Sequence, residues 1–284
     1  MTDAPAPVSP GSKRASKRGF AVRDMPGFAT IAFFSFAALY APIFVLVIFS
    51  FNAGSSIALW EGLSWHWYAA AWQNDVVQEA TIRSVVIATL ASAIATTVAT
   101  LAALGTTHSG DFRGRTVIYM LINQPLMVPE IVTAVALLIF FSMIRIATGY
   151  SGLAYLVIAH AAFCVPFAYL PIRARLEGMD TTLEVAAADL YATPWRTFRR
   201  VTLPLMAPGI VAGAMLAFVI SLDDVIITEF VKTAGQDTLP TYMLGQLRRS
   251  ITPEVNAIST VLLAITVLLL TLFFILTRKR SGKS

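Results

Sequence analysis

Residues 84–107, SVVIATLASAIATTVATLAALGTT, carry no charged side chain and are long enough to cross a lipid bilayer as one helix. A transmembrane helix needs about 20 predominantly apolar residues. Five further stretches have the same character, and these lie at 27–51, 116–144, 146–172, 201–222 and 255–277. Glu130 is the one charged residue within these six spans. The sequence therefore predicts an all-α, polytopic membrane protein with six transmembrane helices.

The composition of the 284-residue chain supports this prediction, with 57% hydrophobic and only 13% charged residues. A soluble domain usually carries about 25% charged residues. Together with a mean hydropathy of +0.71, this deficit excludes a soluble enzyme, a disordered chain and a disulfide scaffold. A single cysteine, Cys164, leaves neither an internal disulfide nor a cysteine-based metal site available.

Prolines are expected to interrupt two of the spans, because proline lacks a backbone N–H and clashes with the preceding helical turn. Pro125 and Pro129 predict a break in the third span. Pro204 and Pro208 predict that the helix preceding the fifth span ends there. The fifth membrane helix is therefore expected over about 208–230. A broken helix at membrane depth is tolerated where it lines a cavity.

Lysine and arginine are distributed unequally between the segments that join the spans. Sixteen of the 21 basic residues fall in the N-terminal arm, the second and fourth loops and the C-terminal tail, and five fall on the other side. Cytoplasmic segments of membrane proteins carry the excess of basic residues. Both termini are therefore predicted to be cytoplasmic, and the net charge of +5 is explained without a nucleic-acid partner.

The first 26 residues are rich in alanine, proline, serine, lysine and arginine, a composition typical of chain without fixed structure. The apolar run that follows them is too long for the core of a signal peptide and ends without a small-residue cleavage site. The first span is therefore predicted to be retained.

The loop at 52–79, predicted to lie outside, is rich in aromatic residues. These are Trp60, Trp65, Trp67, Tyr68 and Trp72. Because tryptophan and tyrosine gather at membrane interfaces, the loop is predicted to lie along the outer surface. Interfacial anchoring and the docking of a partner are both open interpretations of it.

The segment at 181–209 reads TTLEVAAADLYATPWRTFRRVTLPLMAPG and follows the fourth span. Thr181 and Glu184 have the spacing of a capping box, which predicts a helix start. Thr193 followed by Pro194 predicts a second helix start. Two short cytoplasmic helices joined by a turn form either a docking device for a partner or an amphipathic surface on lipid head groups. Spacing alone does not separate these two alternatives.

This segment resembles the EAA loop of the inner-membrane permeases of ABC importers. That loop has a Glu-Ala-Ala core, a glycine four residues after the second alanine, and a later Leu-Pro pair. The matching positions here are Val185, Ala186, Ala187, Tyr191, Leu203 and Pro204. Two of them depart from the pattern, since Val185 stands where the family has Glu and Tyr191 stands where it has Gly.

The resemblance implies that this segment is the coupling helix, which sits in a cleft of a cytoplasmic ATPase. The residues it assigns to that contact are Glu184, Ala186, Ala187, Asp189, Tyr191, Ala192, Phe198, Leu203 and Pro204. The implied organisation has a cytoplasmic arm at 1–26, a permease domain at 27–277, and a cytoplasmic tail at 278–284. Within the permease domain, the core covers 80–277 and the coupling loop covers 181–207.

Five further segments are similar to those of the spermidine/putrescine permeases, and most similar to the second of their two permease subunits. They are SFN at 50–52, WEGLS at 60–64, PLMVPE at 125–130, SLDD at 221–224 and PEVNA at 253–257. The resemblance implies the ABC type I importer permease fold, a place in the bacterial inner membrane, and inward transport of polyamines by alternating access.

The same resemblance implies partners. They are a second homologous permease, a pair of ATP-hydrolysing subunits, a periplasmic substrate-binding protein and the lipid bilayer. It also implies that this chain has no cofactor of its own, with ATP bound by the partner subunits. In agreement, the sequence contains no GxxxxGK[ST] phosphate loop.

Acidic residues within the predicted helices point independently to a cationic cargo. Ionisable side chains there cost roughly 2.5–3.5 kcal/mol each on insertion scales and usually mark a pathway. Counted from Thr116 and from Pro208, the predicted cytoplasmic ends of the third and fifth spans, Glu130 and Asp223 are both expected roughly 21–22 Å into the membrane at about 1.5 Å per residue. With Asp224 they are predicted to form one acidic level. Alternatively, Asp223 or Asp224 caps or cross-links helices, or pairs with a basic residue of the partner permease.

Three other polar residues are weaker candidates. Tyr119 and Gln124 of the third span are predicted to line the substrate path, although such side chains also link helices by hydrogen bonds. His160 in the fourth span is interpreted as a helix–helix hydrogen bonder rather than as a ligand. No catalytic residue and no metal ligand is predicted.

The sequence leaves three rival functions open. The first is the same importer with another cargo, such as an amino-acid derivative, another amine or a metal ion. A membrane-embedded enzyme is a distant alternative, because the histidines at 66, 108 and 160 are far apart in sequence and suggest no catalytic cluster. A passive channel fits the composition but leaves the EAA-like loop unexplained.

Overall fold

The computed structural model of the protein describes residues 27–56, 59–107, 112–249 and 252–281, apart from the side chains of 272–274 and 276–281. The predicted arm at 1–26 and the last residues of the predicted tail lie outside these ranges. The chain divides into two compact units, Met1–Ile48 and Phe49–Ser284. The first unit contains most of one apolar helix, and the second contains the remaining elements.

Twelve α-helices occur within the described ranges. In chain order they are α1 (Phe28–Phe49), α2 (His66–Gln73), α3 (Asp75–Thr107), α4 (Arg115–Met127), α5 (Glu130–Thr148), α6 (Leu153–Glu177), α7 (Thr182–Asp189), α8 (Pro194–Thr197), α9 (Leu203–Asp223), α10 (Ile226–Val231), α11 (Leu239–Arg249) and α12 (Pro253–Ser281). A π-helical turn, Phe198–Thr202, joins α8 to α9. Six helices are long and apolar enough to cross a membrane, and each overlaps one of the six predicted spans.

Some helix ends differ from the ends of the apolar stretches. The second membrane helix begins at Asp75, nine residues before the first residue of its uncharged stretch. The fourth begins only at Leu153, because Gly149 ends α5 in the left-handed conformation, with φ 71°. Hydropathy marks the part of a helix that lipid can cover, whereas backbone hydrogen bonding decides where the helix itself begins and ends.

The predicted break in the third span is confirmed. α4 ends at Met127, and Pro129 occupies the N-cap position of α5. Pro125 lies inside α4 and does not end it. The interruption therefore falls at the second of the two prolines, directly before Glu130.

The prediction for the fifth span is wrong. Pro204 and Pro208 lie within one helical segment, Pro194–Asp223, which continues past both of them. The N–H of Leu203 bonds to the carbonyl of Phe198, a wider π-type turn directly before the first proline. Such single turns are accommodated inside helices. The segment also stops at Asp223 instead of continuing to residue 230.

The core of the second unit is formed where α3, α6 and α9 pack against one another. Small side chains of α3 recur every three or four residues and are fully buried, namely Ala88, Ala91, Ala95, Ala99 and Ala103. Helices in lipid associate through close packing of small residues, because lipid tails are as apolar as leucine. The alanine face of α3 therefore fixes the distance between the three central helices.

Two glycines of α9 bring it into direct contact with the backbone of α6. A Cβ atom added at Gly213 would lie 2.6 Å from the carbonyl oxygen of Ala168. One added at Gly209 would lie 2.7 Å from Cβ of Arg175 and 3.1 Å from the carbonyl oxygen of Pro171. The two glycines are four residues apart, the spacing that allows close helix approach in membranes.

Replacing Gly213 with alanine is expected to lower the melting temperature of the purified protein. The new methyl group meets backbone atoms of α6 that cannot move aside, and overpacking of this kind costs about 1–3 kcal/mol. Gly245→Ala in α11 is the matched control, because a Cβ there meets nothing within 4 Å. Alanine also favours a helix over glycine, so the control variant should be at least as stable as the parent. Equal melting temperatures for the two variants would contradict the close contact.

Candidate functional site

Two interrupted helices place acidic residues next to each other. α4 ends at Met127, extended Val128 (φ −96°, ψ 136°) follows, and α5 begins at Glu130. α9 ends at Asp223, and extended Asp224 (φ −65°, ψ 132°) separates it from α10. Because α5 packs against α10, the two interruptions are neighbours. We call Glu130, Asp223 and Asp224 the acidic junction.

Asp224 is directed into the protein, and the residue is only 7% exposed. One carboxylate oxygen accepts the N–H of Ile227 at 3.3 Å, and the other accepts the N–H and the hydroxyl of Thr228 at 2.9 and 2.8 Å. The N–H groups of a first helical turn have no acceptor within their own helix. Asp224 therefore caps α10, which is one of the alternatives left open by the sequence.

His160 of α6 lies against Asp224 and is 1% exposed. Its Nδ1 is 2.8 Å from Oγ of Ser221 on α9, and its Nε2 is 2.9 Å from Oγ1 of Thr228 on α10. Nε2 also lies 3.4 Å from a carboxylate oxygen of Asp224. His160 thus connects α6 to both sides of the interruption between α9 and α10. Its predicted role as a helix–helix hydrogen bonder is confirmed.

Serine, histidine and aspartate in hydrogen-bonding sequence are also the groups of a hydrolytic triad. A nucleophilic serine has to reach its substrate, whereas Ser221 is only 4% exposed. Both ring nitrogens of His160 lie against protein oxygens. These side chains form a buried network that holds α6, α9 and α10 together at the helix break.

Glu130 and Asp223 occupy the more open positions of the acidic junction. Asp223 is exposed and Glu130 is half-buried. The carboxyl of Glu130 lies close enough to that of Asp224 for the two groups to interact electrostatically. One turn along α5, the hydroxyl oxygen of Thr133 is buried and has no hydrogen-bond partner in the described chain. The structure thus brings Glu130 and Asp224 together and leaves Asp223 at the surface.

The two other predicted path residues lie on α4, before the interruption. Gln124 is exposed, and its backbone carbonyl accepts the N–H of Val128 at 3.1 Å. Tyr119 is 41% exposed, and Cζ of Arg173 lies 4.8 Å from the centre of its ring. Tyr119 therefore belongs to a basic and aromatic group near the start of α4 rather than to the acidic junction.

The predicted pair of short helices between α6 and α9 is present. α7 and α8 start after N-cap residues Thr181 and Thr193, and Pro194 is the first residue of α8. We call residues 181–204 the coupling segment. Its two helices are joined by a turn in which Tyr191 adopts a left-handed φ of 57°.

The predicted capping box is not formed, because neither N-cap side chain makes a capping hydrogen bond. Instead, Asp180 accepts the hydroxyl and the N–H of Thr182 at 2.7 and 2.9 Å. These two bonds hold the pKa of Asp180 below its usual value. Glu184 accepts a hydrogen bond from the hydroxyl of Thr202. Because Thr202 is buried at the start of the fifth membrane helix, Glu184 ties α7 to that helix.

The coupling segment exposes several large apolar side chains. They are Leu183 (50% exposed), Val185 (59%), Leu190 (82%), Tyr191 (96%) and Trp195 (68%). Of the other residues assigned to the ATPase contact, Ala186, Asp189 and Pro204 are exposed, and Ala187, Ala192, Phe198 and Leu203 are half-buried. Clustered apolar surface of this kind marks interaction with a partner or a membrane.

Glu229, on α10 beyond the acidic junction, lies in a network of charges. Its carboxylate is 2.5 Å from Nζ of Lys232 and 3.7 Å from the guanidinium of Arg248. Burial opposes the charge on Lys232, yet hydrogen bonds to Asp237 and Glu229 hold its pKa above the ordinary value. Within the described residues, no group of three or more His, Cys, Asp and Glu side chains could hold a metal ion.

Several residues of the site were not singled out from the sequence. Thr228 stands four residues after Asp224, a spacing that brings both to one side of a helical turn. Ser221 and Thr202 become recognisable only when their partners on other elements are known. The pair Gly209 and Gly213 did carry a sequence signal, the small-residue spacing of membrane helices.

Residues 95–279 match the family described as binding-protein-dependent transport system inner membrane component. The chain is 36% identical over 236 residues to the putrescine transport system permease protein PotI of Escherichia coli (strain K12), covering 82% of this chain and 84% of that protein. It is 37% identical over 249 residues to the spermidine/putrescine transport system permease protein PotC of Haemophilus influenzae, covering 88% and 95%.

Solved structures share the fold at low sequence identity. A chain of the MetNI methionine ABC transporter in an inward-facing conformation superimposes with a TM-score of 0.61 and 16% identity, covering 74% of this chain and 97% of that one. A chain of a bacterial ABC transporter involved in the import of the acidic polysaccharide alginate superimposes with a TM-score of 0.65 and 14% identity, covering 88% of this chain and 93% of that one. The predicted type I importer permease fold is confirmed.

Proposed function

Because the chain belongs to the family of binding-protein-dependent transport system inner membrane components, we propose that it is a permease subunit of an ATP-driven polyamine importer. The cargo is putrescine or spermidine, carried inward across the bacterial inner membrane by alternating access. The observation that carries this proposal is the similarity, over more than four fifths of the chain, to permeases named for these two cargoes. The family is one of transport components, so the chain is not an enzyme.

The proposed assembly contains a second homologous permease, two ATP-binding subunits and a substrate-binding protein outside the membrane. ATP is bound by the partner subunits. The exposed apolar side chains of the coupling segment, among them Tyr191 at 96% exposure, support a contact with an ATPase, because clustered apolar surface marks an interaction site. The excess of basic residues supports a cytoplasmic position for this segment and for both termini.

The acidic junction is proposed to be the part of the path that holds the cationic cargo. Glu130 and Asp223 offer carboxylates at the more open positions of the junction. The last turns of α4 and α9 also leave carbonyl groups without intrahelical donors. Interrupted membrane helices use such carbonyls to coordinate cations near the middle of the bilayer. Gln124 lies on the turn before the interruption and extends this polar lining.

Uptake of labelled putrescine and spermidine by cells with and without the chain tests the proposal, with all partner subunits co-expressed. ATP-dependent uptake of either polyamine is expected with the chain present and is expected to disappear when it is absent. Unlabelled amino acids should not compete. An assembled complex that takes up neither polyamine would contradict the cargo while leaving the family unaffected.

A further inference from the structure

The segment that follows α1 folds around the side chain of Asn52, which is fully buried. Its Nδ2 donates to the backbone carbonyls of Ser56 and Leu59 at 2.8 and 2.7 Å. Its Oδ1 accepts the backbone N–H of Glu61 at 2.8 Å. One buried amide thus satisfies three backbone groups of the segment, so these groups do not depend on water for their hydrogen bonds.

The short helix α2, which comes next, is fixed to the helices around it. Its Ala71 packs against a small apolar cluster that contains Ile258 of α12. Asn74, directly after α2, donates from Nδ2 to Oε1 of Glu254 at 3.0 Å and to the hydroxyl of Tyr242 at 3.3 Å. One face of α2 is therefore covered by the protein, and the position of the helix is set by α11 and α12.

A second face of α2 carries two exposed tryptophans. Trp65, the N-cap residue, is 64% exposed, and Trp72 is 80% exposed. They are seven residues apart, close to two helical turns, so both project from the same side of the helix, with Ala69 between them. The ring of Trp65 is held edge-on by that of Phe51, with 4.8 Å between the ring centres. We call Trp65, Ala69 and Trp72 the tryptophan face.

The tryptophan face is apolar except for its two indole N–H groups. Within the part of the chain that the structure describes, neither of them donates to a protein acceptor, whereas the indole of Trp67 donates to the carbonyl of Gly54 at 3.2 Å. Glu61 is the only charged residue in the sequence from 50 to 74, so the surface has little charge with which to attract a soluble protein. An exposed ring with an available N–H suits the boundary between lipid head groups and hydrocarbon.

The position of α2 in the chain places it at the membrane surface. It lies between the end of α1 and the start of α3, which are both apolar enough to cross a membrane. Exposed apolar side chains continue onto α3, where Val76 and Ile82 are 56% and 64% exposed. α3, the pair α4 and α5, and then α6 cross in turn before the coupling segment begins, so α2 lies on the membrane face opposite that segment.

We propose that the tryptophan face lies in the head-group region of the bilayer, in the leaflet opposite the coupling segment, and that phospholipid covers it. The ester and phosphate oxygens of the lipid accept the two indole N–H groups, and the rings lie against the first carbons of the acyl chains. Because Asn74 ties α2 to α11 and α12, the same contact sets the depth of these helices in the membrane. The surface is separate from the acidic junction and does not depend on the cargo.

Quenching of tryptophan fluorescence tests the proposal with the full-length chain in nanodiscs. Each variant keeps one of the five tryptophans, at position 65, 72 or 195, and carries phenylalanine at the others. The phosphatidylcholine is brominated either near the head group or near the ends of the acyl chains. Bromine near the head group is expected to lower the emission of Trp65 and Trp72 about twofold more than bromine near the chain ends. Trp195, 68% exposed in the coupling segment, is the matched control and should respond to neither lipid.

Quenching by the bromine near the head group that is confined to Trp65 and Trp72 supports the proposal. Strong quenching of both by iodide in the water, with none by either lipid, would overturn it. So would a change in their emission on adding the substrate-binding protein, or equal lipid quenching of Trp195. Melting temperatures show that each variant is folded. If the multiple replacement is unstable, Trp72→Phe in the otherwise unchanged chain should remove part of the quenching.

Discussion

Deletion of residues 186–191 is expected to reduce ATP-driven polyamine uptake to the background of cells that lack the chain, with the protein still inserted in the membrane. The deletion removes the second half of α7 and the turn that exposes Leu190 and Tyr191, which are 82% and 96% exposed. The central packing of α3, α6 and α9 does not include these residues. Uptake and ATP hydrolysis by the reconstituted complex, together with the amount of chain in the membrane, measure the effect.

A milder variant separates docking from the shortening of the loop. Leu190→Asp places a charge on the exposed apolar surface of the coupling segment and should lower uptake strongly without changing the melting temperature. Leu247→Asp on α11 is the matched control, because Leu247 is also exposed (48%) but lies on the opposite membrane face. Normal uptake after the deletion would show that the segment does not couple ATP hydrolysis to transport.

The second large effect is expected at the acidic junction, where substitution of Asp224 should lower stability and substitution of Asp223 should lower uptake alone. Asp224→Ala removes the acceptor for buried donors of Ile227 and Thr228. Each buried donor left without a partner costs about 1–3 kcal/mol. We expect a marked loss of melting temperature and of protein in the membrane. Asp223→Asn changes an exposed side chain and should leave the stability within about 0.5 kcal/mol.

Polyamine uptake distinguishes the roles of the two aspartates further. Asp223→Asn is expected to lower polyamine uptake about tenfold at normal protein level, the effect of losing one charge-assisted contact to an ammonium group. Melting temperature and uptake measured on the same preparations provide both readouts. An Asp224→Ala variant as stable as the parent would contradict the capping role. Unchanged uptake by Asp223→Asn would place that carboxylate against a neighbouring subunit instead of the path.

Hydropathy and proline chemistry were sufficient to predict the six spans and the break before Glu130. They failed at Pro204 and Pro208, where the helix continues past both prolines after a preceding π turn. Hydropathy also did not predict that α3 begins at Asp75, nine residues before its uncharged stretch. Hydropathy determines which segments form membrane helices, and backbone hydrogen bonding, which hydropathy does not report, determines where those helices end.

The candidate site, too, could be predicted from the sequence only in part. Sequence identified Glu130, Asp223 and Asp224 as costly charges in apolar helices, and this property needs no partner to be recognised. It left open which aspartate turns inward. Thr228, four residues further along, is a local partner of Asp224, whereas His160 lies on α6 and meets Asp224 only in the folded chain. The exposed or buried state of a side chain beside a helix break therefore requires the structure.

The helical segment Pro194–Asp223 connects the coupling segment directly to the acidic junction. Its 30 residues, at about 1.5 Å each, make a strut roughly 45 Å long. One end follows α7 and the turn at Tyr191, and the other end is an aspartate at the acidic junction. Gly209 and Gly213 hold its middle against α6 and act as a fulcrum. A rotation of about 5° about these glycines would move Asp223, roughly 15–21 Å further along the helix, by about 1.3–1.8 Å, so a displacement at one end of the segment would reach the carboxylate at the other.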